Sequence, residues 1–171
     1  MDGNGLTWPI QRIVSGGQTG VDRAALDFAL QHHVPCGGWC PRGRLAEDGI
    51  IPACYPLQEA RSRRYAERTR LNVIDSDGTL ILHRGTLKGG TALTWQFAKQ
   101  YHKPCLVINL SRHTDATTEQ QQQEVQQWLT HEAMTVLNVA GPRESENSGI
   151  YQQAFSFIKS ISMCYSSIRS W

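Results

Sequence analysis

Short β-branched runs alternate with segments whose apolar residues recur at helical spacing, and this alternation predicts strand-helix-strand units on a mainly parallel sheet. Arg12-Ile13-Val14-Ser15 reads as the first strand and runs into Gly16-Gly17-Gln18-Thr19-Gly20. Val21, Ala25, Phe28 and Ala29 then mark one face of a helix that the Val34-Pro35 step stops. A short second strand is expected between Val34 and Trp39. From Pro41 to Ile74 the rhythm breaks, with Arg, Pro and Gly throughout and a polar helix expected over Leu57 to Arg70. Thr79-Leu80-Ile81-Leu82 is the next strand. Gly85 to Gly90 leads from it into a helix starting at Thr91, with Leu93, Phe97, Ala98 and Tyr101 inward and Pro104 beyond its end. Cys105 to Ile108 reads as a buried strand, and Ala116 to Thr130 as a Gln-rich helix with a stripe of Val125, Trp128 and Leu129. Thr135 to Val139 is the last strand. A helix from Gly149 carries Ile150, Ala154, Phe157, Ile158 and Ile161 on one face. Ser162 to Trp171 carry no clear pattern and are expected to fray.

Composition narrows the partners. A chain of 171 residues suffices for one core. With 17 basic and 15 acidic side chains the net charge is +2, so nucleic acid is not an expected partner. The longest strongly apolar run, Cys105 to Leu110, falls far short of the roughly 20 residues of a membrane span. No basic-then-apolar leader opens the chain, and a cytoplasmic location is expected. Cys36, Cys40, Cys54, Cys105 and Cys164 are odd in number and unclustered, which suits reduced thiols. No second pair completes a zinc set with Cys36 and Cys40, so no protein-ligated metal is expected. Thirteen of the 17 cations are arginines, whose planar forks suit oxyanions.

Three strands end in glycine-bearing loops that feed helices: Ser15 to Gly20, Gly85 to Thr91 and Ala140 to Gly149. In a parallel sheet these loops share one edge, where open α/β sheets bind ligands. Glycine lets backbone N–H groups approach a guest, and a helix amino end adds unpaired donors and partial positive charge. The expected ligand site is Gly16, Gly17, Gln18, Thr19 and Gly20, with Lys88, Gly89, Gly90 and Thr91, and with Gly141 and Arg143. Arg23 adds a cation and Trp39 an aromatic face. Three helix ends supply at most about 6 kcal/mol, whereas micromolar binding needs about 8, so charged or stacking contacts must add the rest. The same residues have structural readings. Thr19 with Asp22, and Thr91, suit helix capping; Asn147 and Ser148 suit caps for the last helix; Arg23 suits a surface ion pair.

Familiar signatures fail on spacing. The first loop lacks G-x-G-x-x-G with an acid about 20 residues later, and it lacks G-K-[ST], which excludes an NAD dehydrogenase and a P-loop NTPase. Asp75-Ser76-Asp77-Gly78-Thr79 is similar to the nucleophile motif of haloacid-dehalogenase-type phosphatases. However, the apolar run follows the motif instead of preceding it, and no adjacent acid pair lies downstream, so a turn before the strand is expected. His32, His33, His83, His102, His113 and His131 form no ligand spacing; His83, at a strand end, is the one of interest. Arg61, Arg63, Arg64, Arg68 and Arg70 suit a solvated face, or a positive lip over the crevice.

Ser15-Gly16-Gly17-Gln18-Thr19-Gly20-Val21-Asp22-Arg23, the stretch Gly38 to Arg44 continuing to Glu47-Asp48-Gly49, the run Asn72 to Ile81, Gly89-Gly90-Thr91 and Ala140 to Ser145 together resemble the putative molybdenum carrier family, over about residues 10–160. The resemblance implies a Rossmann-like three-layer α/β sandwich of about five strands, related to the cytokinin-activating phosphoribohydrolases often called lysine decarboxylases, and a homo-oligomer, dimer or tetramer. It also implies a small phosphorylated ligand, either a nucleotide or the molybdenum cofactor (molybdopterin), whose own sulfurs would hold the metal. The phosphoribohydrolases place a glutamate after their Gly-Gly-x-Gly-Thr crest; Gly89 to Trp95 contains no acid. The leading expectation is therefore a binding protein. The alternatives are an N-glycosidase acting on nucleoside monophosphates, with Asp22 or Asp77 as the catalytic carboxylate, and a nucleotide-sensing regulatory module.

Overall fold

A computed structural model describes residues 8–111 and 116–166; His113 lies outside them. In chain order the elements are β1 (Arg12–Val14), α1 (Val21–Gln31), β2 (Cys36–Gly37), β3 (Trp39–Cys40), β4 (Leu45–Ala46), β5 (Gly49–Ile50), β6 (Gln58–Glu59), α2 (Tyr65–Ile74), β7 (Gly78–His83), α3 (Gly89–Gln100), β8 (Cys105–Asn109), α4 (Thr118–His131), β9 (Val136–Ala140) and α5 (Ile150–Ser166). Five strands form one parallel sheet in the order β2-β1-β9-β7-β8. The expected α/β Rossmann-like sandwich is what the chain forms. Strand β9, last in the chain, lies in the middle, with Ile13 opposite Leu137 on one side and Thr79 opposite Asn138 on the other.

The two faces of the sheet differ. Ile13, Leu80, Leu82, Ile108, Leu137 and Val139 join Phe28, Leu129, Phe157 and Ile161 in the main apolar core, under α1, α4 and α5. Because side chains alternate along a strand, Thr79, Ile81 and His83 point the other way, toward α2 and α3. That side is unusually polar: Thr69, Asn72, Thr91, Thr94 and Asn138 are all buried there, and Asn138 Nδ2 donates to Thr79 Oγ1 at 3.1 Å. A satellite cluster of Leu26, Cys40, Ile51, Tyr55 and Leu57 holds the irregular excursion between β2 and α2 against the sheet edge.

Several boundaries differ from the sequence reading. The polar helix starts at Tyr65, not Leu57, because Leu57 is drawn into the satellite cluster and Ala60 is buried, while Gln58–Glu59 pair with Trp39–Cys40. In α3 the inward face is Thr91, Thr94 and Ala98; Leu93, Phe97 and Tyr101 are only half-buried, since the surface α3 covers is polar. Of the tail expected to fray, 167–171 lie outside the described residues, and Ser162 to Ser166 continue the last helix. Tyr165 anchors it, being buried, donating its hydroxyl to the Gln126 carbonyl at 3.0 Å and meeting Trp8 edge-on at 5.7 Å.

Asp77 opens β7 at the amino edge of the sheet. Its Oδ2 accepts the N–H groups of Thr135 (2.9 Å) and Val136 (2.8 Å) and the Thr135 hydroxyl (3.1 Å), fastening β7 to the start of β9. Burial pushes its carboxyl upward, but these hydrogen bonds outweigh it and hold the pKa below the ordinary value. A depressed folded-state pKa contributes stability that is present above the unfolded value and lost as pH falls through the folded one. Asp77→Asn is therefore expected to cost about 1 kcal/mol at pH 7, a modest figure because the site is exposed. The gap should close below about pH 4. Urea denaturation of both proteins at pH 7 and pH 3 checks this; an equal gap at both would refute it.

Candidate functional site

Parallel pairing puts the carboxyl ends of β1, β9 and β7 side by side, so the three glycine loops meet on one edge of the sheet. α1 and α5 lie on one face and α3 on the other. The rim thus lies where successive connections leave the sheet in opposite directions, the usual ligand crevice of open α/β sheets.

At the β1 loop, several glycines are required by the protein's own packing. Gly17 and Gly20 have φ of 78° and 77°, the left-handed region that favours glycine. A Cβ on Gly20 would strike the Pro142 carbonyl, and one on Gly16 would overlap the Arg68 guanidinium. Gly141 is equally tight, against the Leu82 carbonyl and Val21. Asp22, 2 % exposed, sits beneath this loop; its Oδ2 accepts the Gln18 N–H at 3.2 Å and Arg68 Nη1 at 2.9 Å. Burial pushes the Asp22 carboxyl above its ordinary value, with Arg68 and the Gln18 N–H opposing.

The capping expectations are corrected here. α1 is capped at Gly20 with no side-chain hydrogen bond, because the Thr19 hydroxyl is turned to Glu47 and Asp22 to Arg68. Thr91 lies inside α3, whose cap position is Lys88, again with no side-chain bond. The amino end of α5 is held by the side chain of Glu144, which accepts the N–H groups of Gly149 and Tyr151 (3.0 Å), and not by the side chain of Asn147 or Ser148. Of the three helices that follow the glycine loops, α3 is therefore the one with an open amino end: it has no acid in its first turn, and Gly90 has nothing within 4 Å of a notional Cβ.

Charged groups cluster around this opening. Arg143 Nε lies 3.3 Å from Glu146 Oε1 and 3.9 Å from Glu47 Oε2, and a notional Cβ on Gly89 is 3.9 Å from Glu146 Oε1. Arg23 is paired with Asp48 and also donates from Nε to the Gly17 carbonyl at 3.2 Å. Lys88 is exposed. Tyr65 carries the Arg68 guanidinium at 6.0 Å and that of Arg143 at 5.7 Å from its ring centre. Among the described residues six buried side-chain nitrogens have no hydrogen-bond partner; Gln18 Nε2 and Arg68 Nε are the two at the β1 loop, and the others belong to Trp8, His83, Arg84 and Gln126. The Gln18 amide orientation is fixed, because its Oε1 accepts the N–H groups of Thr19 (3.0 Å) and Glu47 (2.9 Å).

Other candidates lie elsewhere. Trp39 turns its indole N–H to Asp75 at 2.6 Å, toward the far end of α2, so Tyr65 is the aromatic ring of the rim. Asp77 is on the opposite edge. His83 is buried at the end of β7 with Nδ1 unpartnered, and burial lowers its pKa. Among the described residues no group of three or more His, Cys, Asp or Glu is placed to hold a metal ion, and no helix is long and apolar enough to cross a membrane. All five cysteines are free. The sequence reading missed Glu47 and Tyr65 as rim residues and did not single out Arg68 from a run offered as a solvated face or a positive lip over the crevice. The spacing of Tyr65, Arg68 and Asn72, three and four residues apart, was the available sign that one face of α2 turns inward.

Residues 13–162 match the model of the circularly permutated YpsA SLOG family. The chain is also similar to the crystal structure of a putative molybdenum carrier protein from Syntrophus aciditrophicus SB: 50% of residues are identical, the TM-score is 0.86, and the match covers 90% of this chain and 95% of that one. No curated protein matches the chain.

The buried pair makes a direct prediction. Removing one partner strands the other charge, which costs about 3–5 kcal/mol. Arg68→Ala should show a loss of that order at pH 7. Asp22 already has a raised pKa, and without Arg68 it rises further, so the penalty belongs to high pH and declines as the acid protonates. The gap between the denaturation midpoints of wild type and Arg68→Ala should be smaller at pH 5 than at pH 7; a pH-independent deficit would contradict the assignment.

Proposed function

The chain belongs to the circularly permutated YpsA SLOG family, and from that membership and the geometry of the rim we propose that it binds a small phosphorylated ligand, a nucleotide or pterin, at the shared strand ends. The observation that carries this reading is the pair of buried donors without acceptors, Gln18 Nε2 and Arg68 Nε, at the loop beside the open amino end of α3. Buried N–H groups are almost always paired, so donors left over at a ligand crevice call for an acceptor. An anion supplies one.

The nature of the guest follows from magnitudes. One open helix end contributes about 0.3–2 kcal/mol, far below the roughly 8 kcal/mol of micromolar binding. The rest falls to Arg143, Lys88 and Arg68 through charge-assisted bonds, and to Tyr65 through stacking on a flat ring. A phosphate attached to a planar heterocycle uses all of these. The donor set also suits the molybdenum cofactor, a phosphate-bearing pterin whose sulfurs carry the metal, so the protein would hold the phosphate and pterin and leave the metal as cargo. The name of the Syntrophus relative supports this choice among phosphorylated guests. The half-buried Leu93 and Phe97 of α3, with Trp95 38 % exposed beside them, support a homo-oligomer as part of the same reading, which light scattering checks.

Gly90→Asp tests the site directly. It places a carboxylate at the open amino end of α3, where it meets no steric obstacle. An acid there stabilises the helix by about 0.3–1 kcal/mol while repelling an anion. Calorimetric titration with nucleoside monophosphates and with inorganic phosphate should give binding tighter than millimolar to the wild type, and affinity about ten-fold or more weaker in Gly90→Asp with an unchanged or slightly raised melting temperature. Absence of binding to the wild type, or equal affinity in both proteins, would remove the proposal.

A further inference from the structure

The rim already holds an oxyanion that belongs to the protein. Glu47 lies at the turn between β4 and β5, in the excursion far from either glycine loop in the chain. Its carboxylate accepts the hydroxyls of Thr19 and Ser145 and the Ser145 N–H (3.2 Å), with Arg143 Nε 3.9 Å away. Thr19 Oγ1 in turn accepts the Glu144 N–H at 3.2 Å. Two hydroxyls, a backbone amide and a guanidinium, drawn from the β1 and β9 loops, form the kind of donor set that receives a phosphate. Glu47 fills it from a third segment, and its side chain is only 18 % exposed there.

The attachment of this hairpin is uneven. Its tip is held by polar contacts: Glu47 on Thr19 and Ser145, the Glu47 N–H on Gln18 Oε1, and Asp48 on Arg23, with one contact of 2.8 Å. Each of its strands is two residues long, Gly49 is exposed, Ile50 is 74 % exposed, and Ala46 packs on the satellite cluster from a half-buried position, so little apolar packing secures the tip. The root is firm. The Arg44 guanidinium donates to the carbonyls of Ile51, Leu57, Pro52 and Tyr55 at 2.8–3.2 Å, and Ile51 is buried in the satellite cluster. The tip can leave without the root coming undone.

We propose that Glu47 is a built-in competitor: its carboxylate occupies the oxyanion seat formed by Thr19, Ser145 and Arg143, and the β4–β5 hairpin lifts when the ligand's phosphate takes that seat. This rests on the proposed function and adds to it a selection rule. A tethered carboxylate competes at the high effective concentration of an intramolecular group. A free monocarboxylate offers the seat nothing that Glu47 does not, and is excluded. A phosphate monoester brings a second negative charge and a third oxygen, and displaces it. Releasing Glu47 also removes one of the two carboxylates beside Arg143, leaving Glu146 at 3.3 Å as the incoming dianion's competitor for that cation.

The test compares the wild type with Glu47→Gln, using inorganic phosphate, a nucleoside monophosphate and acetate in calorimetric titrations. Hydrogen exchange of residues 45–50 is followed in the wild type with and without saturating nucleotide. Removing the competing charge should tighten phosphate and nucleotide binding about ten-fold and let acetate bind measurably for the first time, while exchange at the hairpin of the wild type speeds up on nucleotide binding. Equal affinities with unchanged hairpin exchange would overturn the competitor and leave the proposed function standing. Weaker binding by Glu47→Gln would also overturn it, making Glu47 a ligand contact. If neither protein binds any of the probes, both readings fall. Should the variant melt early, the exchange measurement on the wild type decides alone.

Discussion

Strand β9 is the last to be made and lies at the centre of the sheet, paired in parallel to β1 on one side and β7 on the other. Two-sided pairing obliges its carboxyl end to emerge between the other two glycine loops, so Arg143, Glu144 and Ser145 necessarily stand beside Gly20 and within reach of α3. The same insertion closes the apolar core, since Leu137 and Val139 are surrounded only once β1 and β7 are both in place. The site and the stability of the fold therefore depend on one long-range event, and the Asp77 contacts to Thr135 and Val136 hold its register at the opposite edge.

The contrast between the two faces explains why the rim has its shape. Under α1, α4 and α5 the sheet is covered by aliphatic and aromatic side chains, and burial of each contributes about 1.5–3 kcal/mol. Under α2 and α3, beside Val73, Ile81 and Ala98, the buried residues include threonines, asparagines and a histidine, polar groups that must be hydrogen-bonded to be tolerated. That polar layer continues to the rim through Arg68, whose pairing with buried Asp22 brings a guanidinium against the glycine loop, where Gly16 alone leaves room for it.

Nearly every cation at the rim is met by a carboxylate of the same chain: Arg23 by Asp48, Arg68 by Asp22, Arg143 by Glu47 and Glu146. These pairs are of two kinds. Asp22 and Arg68 are buried and hold the loop in shape, whereas Glu47 and Asp48 arrive on a surface hairpin with little apolar packing. Pairs of that second kind lie at the surface and are partly open to solvent, and such pairs contribute about 0–1 kcal/mol. Structural need therefore accounts for the first pair and leaves the second available for exchange.

The sequence by itself determined the five strands of the central sheet, the order of helices and the one-sided convergence of the glycine loops, because those follow from local periodicity and from the parallel arrangement that βα alternation imposes. It also pointed to the β1 loop and to Arg143, through residue types that few other roles require. The outer residues of α3 misled it: Leu93 and Phe97 look like core by hydrophobicity, yet the layer beneath is polar and selects Thr91 and Thr94. Arg68 among five arginines, Tyr65 in place of Trp39, Glu144 as the cap of α5 and Glu47 on the oxyanion seat were decided by tertiary structure alone. Each is a pairing between segments remote in the chain, and no periodicity encodes which of several like-charged or aromatic side chains a folded surface will bring within 3 Å of its partner.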